Sequence, residues 1–193
     1  MIAQIGALIL ASPGSDREHV VPVGSEIGQA ACRPLCTGVS YRGDVIEQYT
    51  NFHTALHGFA HPGAAHDLLW NVATAHRLTE QLDSLVDVKR RALAQAFMTR
   101  FTTHVLPRLP SLRSQVIHND YHLYNVLVAP DDQARIVGII DFGDMVHAPL
   151  VGEVATAAAF HTAGSPDPFE GPAQFVAAYH EVLPLTGAEQ EIV

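Results

Sequence analysis

Lysine is almost missing from this chain: Lys89 is the only one in 193 residues. Arginine does not make up the balance, since Lys+Arg 11 stand against Asp+Glu 20 and the net charge is −9. A chain so poor in cations is a poor match for nucleic acid or an anionic membrane, because both are bound through lysine and arginine. It suits a cationic small molecule better. Cysteine is scarce as well. Cys32 and Cys36 are too few for a disulfide framework and read as two ordinary thiols, so a reducing compartment is expected. The opening MIAQIGALILA is apolar but too short to span a bilayer, and it lacks the positive start of a signal peptide. Together these absences predict a cytoplasmic protein with no membrane or nucleic-acid partner. Neither an internal repeat nor a low-complexity tract is found.

What the chain does have is one stretch to which the rest refers, VIHNDYHLYNVLVAPDDQARIVGIIDFG, residues 116 to 143. An apolar run ends in His118-Asn119-Asp120, and Asn125 follows five residues after the aspartate. The valine-rich run 126–128, the turn Pro130-Asp131-Asp132-Gln133 and the run 136–140 spell a β-hairpin that ends on Asp141-Phe142-Gly143. Residues 125 and 141 are equally far from residue 133, so the hairpin is expected to bring Asn125 and Asp141 face to face at its open end. Asp120 lies in the loop just before it. Three oxygen-bearing side chains at one mouth suit Mg²⁺ carrying substrate phosphates.

Phosphoryl transfer asks little covalent chemistry of a protein. It needs a carboxylate to orient and deprotonate the attacking hydroxyl, and ligands for the metal on the phosphates. In that reading Asp120 is the base, Asn125 and Asp141 hold Mg²⁺ and the nucleotide, and His118 braces the catalytic loop. The bland alternative is an ordinary hairpin with Asp and Asn in its turns, where both are common. The ordered combination of motif and strands outweighs it. A metal-dependent hydrolase built on His118, Asp120 and His122 is a lesser alternative. His122 stands as either a substrate-side residue or a hydrogen-bonded loop histidine.

The flanking chain reads as mainly helical. Residues 1–40 form a poorly defined segment of short apolar runs broken by prolines. Within it, Gly24-Ser25-Glu26-Ile27-Gly28 resembles part of a glycine-rich loop but lacks the third glycine and a strand lysine. Helices are expected over residues 44–59, 65–82, 86–106, 149–160 and 171–183, from apolar positions at three- and four-residue spacing. The stripe of the first is Val45, Tyr49, Phe52, Leu56 and Phe59. In the second, Leu68, Leu69, Val72, Ala75, Leu78 and Leu82 are expected to point inward, and Trp70, Leu93, Phe97 and Phe101 are expected in the core. His53, His57, His61 and His66 share near-helical spacing; zinc is the sharp reading and a solvated helix face the better one. Thr186-Gly187-Ala188-Glu189 is a capping box opening a helix so short that it needs packing. The chain therefore reads as ending in mid-fold.

These motifs resemble the catalytic core of the aminoglycoside phosphotransferase and choline kinase family, relatives of protein kinases that phosphorylate small-molecule hydroxyls. The family's H-G-D-x-x-x-x-N stands here as HNDYHLYN, and its I-D-F/W-G/E as Ile140-Asp141-Phe142-Gly143. The run from Gly143 to Ala155 is similar to the family's G-D-x-x-x-P-L-x-x-D-L-A, with Glu153 where an aspartate is usual. Residues 49–109 look most like the hydroxylysine-kinase-like members. The resemblance covers roughly residues 45–185. It implies an α+β fold in which residues 41–193 form a kinase-like carboxy-terminal lobe, mainly helical, with a small hairpin carrying the site. It further implies ATP and Mg²⁺, an amine-bearing small-molecule acceptor, and a loop-buttressing acid at Glu153. Asp144 and Glu153 are acidic support, and either is a candidate contact for a cationic substrate. Two departures stand out. Asn119 replaces the glycine of the first motif, and no strand lysine is present for the ATP phosphates, so the amino-terminal ATP lobe is expected to be missing. Three readings follow: a small-molecule kinase, an inactive binding module, or a truncated chain completed by a lobe or partner in trans.

Overall fold

The computed structural model describes residues 44–161 and 166–193. The readings made for residues 1–40, including the glycine stretch and both cysteines, lie outside the described residues.

The first described element, α1 (Asp44–Ala55), buries Ile46, Tyr49, Thr50 and His53, a stripe at the i, i+3, i+4, i+7 spacing of one helix face. It ends before the expected Phe59, which is 49% exposed beyond a turn in which Gly58 takes φ 77°. Glycine is suited to that turn because it carries no Cβ. The second expected helix is displaced. His61 caps a short 3-10 turn at Pro62–Ala65, the chain then extends, and a 3-10 helix runs over Val72–Ser84 with Asn71 accepting from the Ala73 N–H. Leu69 and Trp70 precede that helix and stand about half-exposed, contrary to the inward and core positions expected for them.

The third helix is α2 (Val88–Arg100), capped by Asp87 and continued as a π turn over Phe101–Val105 that ends with Leu106 N–H on the Phe101 carbonyl at 2.9 Å. That extra residue in the last turn rotates the stripe. Phe101 and Val105 are fully buried, whereas Leu93, expected in the core, is 48% exposed.

Four short strands follow. β1 (Ser114–Ile117) pairs antiparallel with β4 (Val146–Pro149), with Ile117 opposite Val146. β2 (Val126–Ala129) pairs antiparallel with β3 (Asp132–Ile139). The β1–β4 sheet sets the end of one candidate segment beside the start of the other: His118 leaves β1 where the chain enters β4. The β2–β3 turn is tighter than expected, with Ala129 opposite Asp132, and bulged register shifts then place Val126 opposite Ile139.

Next come α3 (Leu150–Ala159), α4 (Glu170–Val182) and α5 (Gly187–Gln190). The sequence of α3, LVGEVATAAA, is apolar on all sides, which is the signature of a central helix. Val151 and Ala155 face a core of Met98, Phe101, Val105, Leu109 and Ile192. Val154, Ala157 and Ala158 face a second core of Tyr49, Tyr121, Phe175 and Tyr179. Glu153 lies on this same helix and is fully buried. The short α5 has its full capping box, and its Glu189 is tied by both oxygens to Arg113 at 2.9 and 2.6 Å, which explains how four residues of helix persist. Among the described residues, no helix is long and apolar enough to cross a membrane.

Candidate active site

Asp120 lies in the loop between β1 and β2, and both of its oxygens are engaged. Asn125 donates from Nδ2 to Oδ2 at 3.0 Å and to the Asp120 carbonyl at 2.8 Å. His122 places Nε2 3.2 Å from Oδ1. Burial alone would raise this carboxyl, but the hydrogen bonds from His122 and Asn125 outweigh it, and the group is held below the ordinary aspartate value.

His118 is wholly buried, and its Nε2–H donates to the Ile140 carbonyl at 2.9 Å. That bond ties the Asp120 loop to the residue before Asp141. The rings of Phe142 and Tyr121 lie 5.2 and 5.8 Å from the His118 ring.

Asn119 takes φ 69°, a left-handed conformation that asparagine tolerates better than most residues with a Cβ. Its backbone N–H donates to Glu153 Oε1 at 2.6 Å. The other Glu153 oxygen meets Nε2 of His53, and His53 Nδ1 lies 2.9 Å from the Tyr179 hydroxyl. A carboxylate can only accept, so His53 carries its proton on Nε2, facing Glu153, and its Nδ1 is left to accept from the Tyr179 hydroxyl. A buried row of groups from α4, α1 and α3 therefore ends on the backbone of the Asp120 loop. Glu153 has no exposed oxygen with which to touch a substrate. His53 is correspondingly not on a solvated face; it is 1% exposed, while His57, His61 and His66 are exposed. Spacing alone did not separate it from them. The signal that could have found it is its place on the Ile46–Tyr49–Thr50 stripe.

Asp141 follows the hairpin. Because of the bulged register, the Ile140 N–H donates to the Asn125 carbonyl at 3.0 Å, so Asn125 pairs with Ile140 and Asp141 comes one residue later instead of directly opposite. Asp141 is exposed, takes φ 66° and makes no side-chain cap to the 3-10 turn Phe142–Asp144 that it precedes. Asp144 accepts the indole N–H of Trp70 on Oδ2 at 2.8 Å, which holds Trp70 outside the core.

The oxygen set can be tested against Mg²⁺. With its Nδ2 spent on Asp120, Asn125 keeps its amide oxygen as a ligand, and Asp141 offers an exposed carboxylate. Among the described residues, no group of three His, Cys, Asp or Glu side chains could hold a metal ion. Two protein oxygens with the remainder from phosphate and water is the usual arrangement for Mg²⁺ on a nucleotide, so the residues fit.

Three comparisons bear on this site. The sequence is 25% identical over 174 residues to hydroxylysine kinase of Danio rerio, covering 87% of this chain and 48% of that protein. It is 26% identical over 147 residues to hydroxylysine kinase of Mus musculus, covering 71% of this chain and 39% of that protein. With the Xenopus laevis enzyme of the same name it shares 25% over 130 residues, 64% of this chain and 35% of that protein. The chain thus spans about half or less of the length of these relatives. No solved structure matches it. The sequence model of one family, described as the phosphotransferase enzyme family, matches residues 9–189. That match covers most of the chain, and the protein belongs to the phosphotransferase enzyme family.

Proposed function

We propose that this chain carries the acceptor-side half of an ATP- and Mg²⁺-dependent phosphotransferase acting on a hydroxyl of a small, amine-bearing molecule. The observation that carries the reading is Asp120 held between His122 and Asn125, on a loop tied through His118 to the residue before Asp141. Asp120 orients the acceptor hydroxyl and takes its proton as the oxygen–phosphorus bond forms; the bond from the γ-phosphorus to ADP breaks and ADP leaves. Asn125 and Asp141 hold Mg²⁺, which neutralises charge on the phosphates. Membership of the family supports the reaction class, and the hydroxylysine kinases among its relatives support an amino-bearing acceptor. In this reading residues 41–193 are the carboxy-terminal lobe of a kinase-like fold.

A second reading, a binding module that does not transfer phosphate, is favoured by one feature. Lys89 lies exposed on α2 and cannot serve as the strand lysine that the family sets on the ATP phosphates.

One assay separates the two: transfer of labelled γ-phosphate from MgATP to 5-hydroxylysine, ethanolamine and aminoglycosides, with Asp120→Asn as control. Labelled product that vanishes in the variant supports the kinase. Product formed equally by the variant, or formed by neither protein, sinks it.

A further inference from the structure

The five-residue spacing between Asp120 and Asn125 is filled by a 3-10 turn, Leu123–Asn125, and His122 caps it. With φ −141° and ψ 176°, the extended backbone of His122 turns its ring back so that Nδ1 accepts the Tyr124 N–H at 3.1 Å. A ring nitrogen that accepts carries no proton, and a protonated imidazolium would set one N–H against another. The ring is therefore neutral with its single proton on Nε2. Nε2 is the nitrogen 3.2 Å from Asp120 Oδ1.

The ring plane is fixed as well. Phe160, at the end of α3, packs on it with ring centroids 4.2 Å apart, and Tyr124 meets it edge-on at 5.5 Å. The His122 side chain is only 12% exposed, so with both nitrogens engaged it has no group to offer an acceptor molecule. Asn125 holds the second oxygen of Asp120 at 3.0 Å. The terminal torsion of an aspartate is otherwise broad, with little preference of its own. Two donors on two oxygens remove that freedom and leave the remaining lone pairs aimed in one direction.

We propose that His122 is a positioning residue, a tautomer-locked donor that fixes the Asp120 carboxylate in its working orientation, and not a substrate contact. The inference rests on the phosphotransferase reading for its consequence in turnover, but the lock itself can be tested without it.

Two variants and one spectrum decide the matter. His122→Leu keeps the packing on Phe160 and loses the donor. His122→Gln restores an amide N–H at about the reach of Nε2. With MgATP and 5-hydroxylysine, the Leu variant is expected to lose about 10- to 100-fold in kcat, the scale of a misoriented reacting group, with KM for the acceptor little changed. The Gln variant recovers most of the loss. A Leu variant with wild-type kcat, or a loss confined to acceptor KM, overturns the proposal. In ¹⁵N-histidine spectra of the wild-type chain, His122 is expected as the Nε2–H tautomer, with a signal that moves in Asp120→Asn. An Nδ1–H tautomer, or no response to Asp120→Asn, overturns it even if the chain transfers no phosphate, whereas a silent assay with the expected spectrum refutes only the phosphotransferase reading.

Discussion

Two non-glycine residues among those described take left-handed backbone angles, Asn119 at φ 69° and Asp141 at φ 66°, and they flank the two halves of one site. They are held in opposite ways. Asn119 is 6% exposed, and its N–H is anchored on a buried glutamate that is itself fixed by His53 and Tyr179. Asp141 is exposed and has no cap from its side chain. Left-handed backbone costs a residue with a Cβ about 1–2 kcal/mol. At Asn119 the surrounding core offsets that cost; at Asp141 no buried partner does so. In the proposed reading, the half of the site that would take the proton is built by the protein alone, while the half that would hold the metal is left for its ligand to complete. Strained backbone of this kind clusters at functional sites.

The largest effect should come from removing the carboxylate proposed as the base. Asp120→Asn keeps the Asn125 contact and is expected to lower phosphoryl transfer by roughly 10²–10⁴-fold with a melting temperature near wild type. Activity surviving in that variant would erase the distinction between the halves.

Breaking the anchor comes next. Glu153→Ala leaves the His53 ring and the Asn119 N–H without their acceptor in a dry site, a loss of about 3–5 kcal/mol by urea unfolding, on the scale of a broken buried pair. Glu153→Gln keeps an acceptor and should cost less. A loss below about 1 kcal/mol for the alanine variant would mean that Asn119 is no better anchored than Asp141.

The anchored side should also be acid-sensitive. His161, at the end of α3, stacks on Phe175 at 4.9 Å, and burial lowers its value to about 4. The unfolded chain, with a histidine near ~6.5, binds the extra proton first, so this group's stability is complete above ~6.5 and drains away as pH falls toward 4, by up to about 3 kcal/mol. Asp120, whose folded value is depressed, adds a further loss only below the ordinary aspartate range near ~4. Urea midpoints against pH should therefore slope between 6.5 and 4 in wild type and flatten there in His161→Leu. An unchanged slope in the variant would assign the acid sensitivity elsewhere.

The smallest effect sharpens the contrast most. Asp141→Gly removes a strained Cβ that no partner holds, and should leave stability unchanged or raise it by up to about 1 kcal/mol. Asn119→Ala should lower it by about 1–2 kcal/mol, because the same angle there is enforced from the core. Equal responses at both positions would show that the two are held alike.

Much of this was legible in the sequence because it is local. The hairpin, the capping box at Thr186 and the order of His118, Asp120, Asn125 and Asp141 all follow from neighbours within a few residues. The helix end at Val182 falls within a residue of where the apolar spacing puts it, whereas the first helix stops a turn short of Phe59. What failed was set by distant contacts or backbone irregularity. The β1–β4 pairing joins residues about thirty positions apart, so Val146–Pro149 did not read as a strand. Bulges moved Asp141 one step along from Asn125. Trp70 reads as core by type, yet an acceptor on Asp144 holds it at the surface. His53 read as a surface residue and Glu153 as a loop-buttressing acid or a substrate contact; the packing of α1 on α3 and α4 is what joins them as one buried pair.

The most direct test of the central claim is calorimetric titration of the chain with ATP, with and without Mg²⁺, in wild type and Asp141→Ala. The two-sided account predicts binding in wild type that requires Mg²⁺, and its loss in the variant while the fold is kept. Binding indifferent to Mg²⁺ or to Asp141, or no binding by a folded wild-type chain, would contradict it.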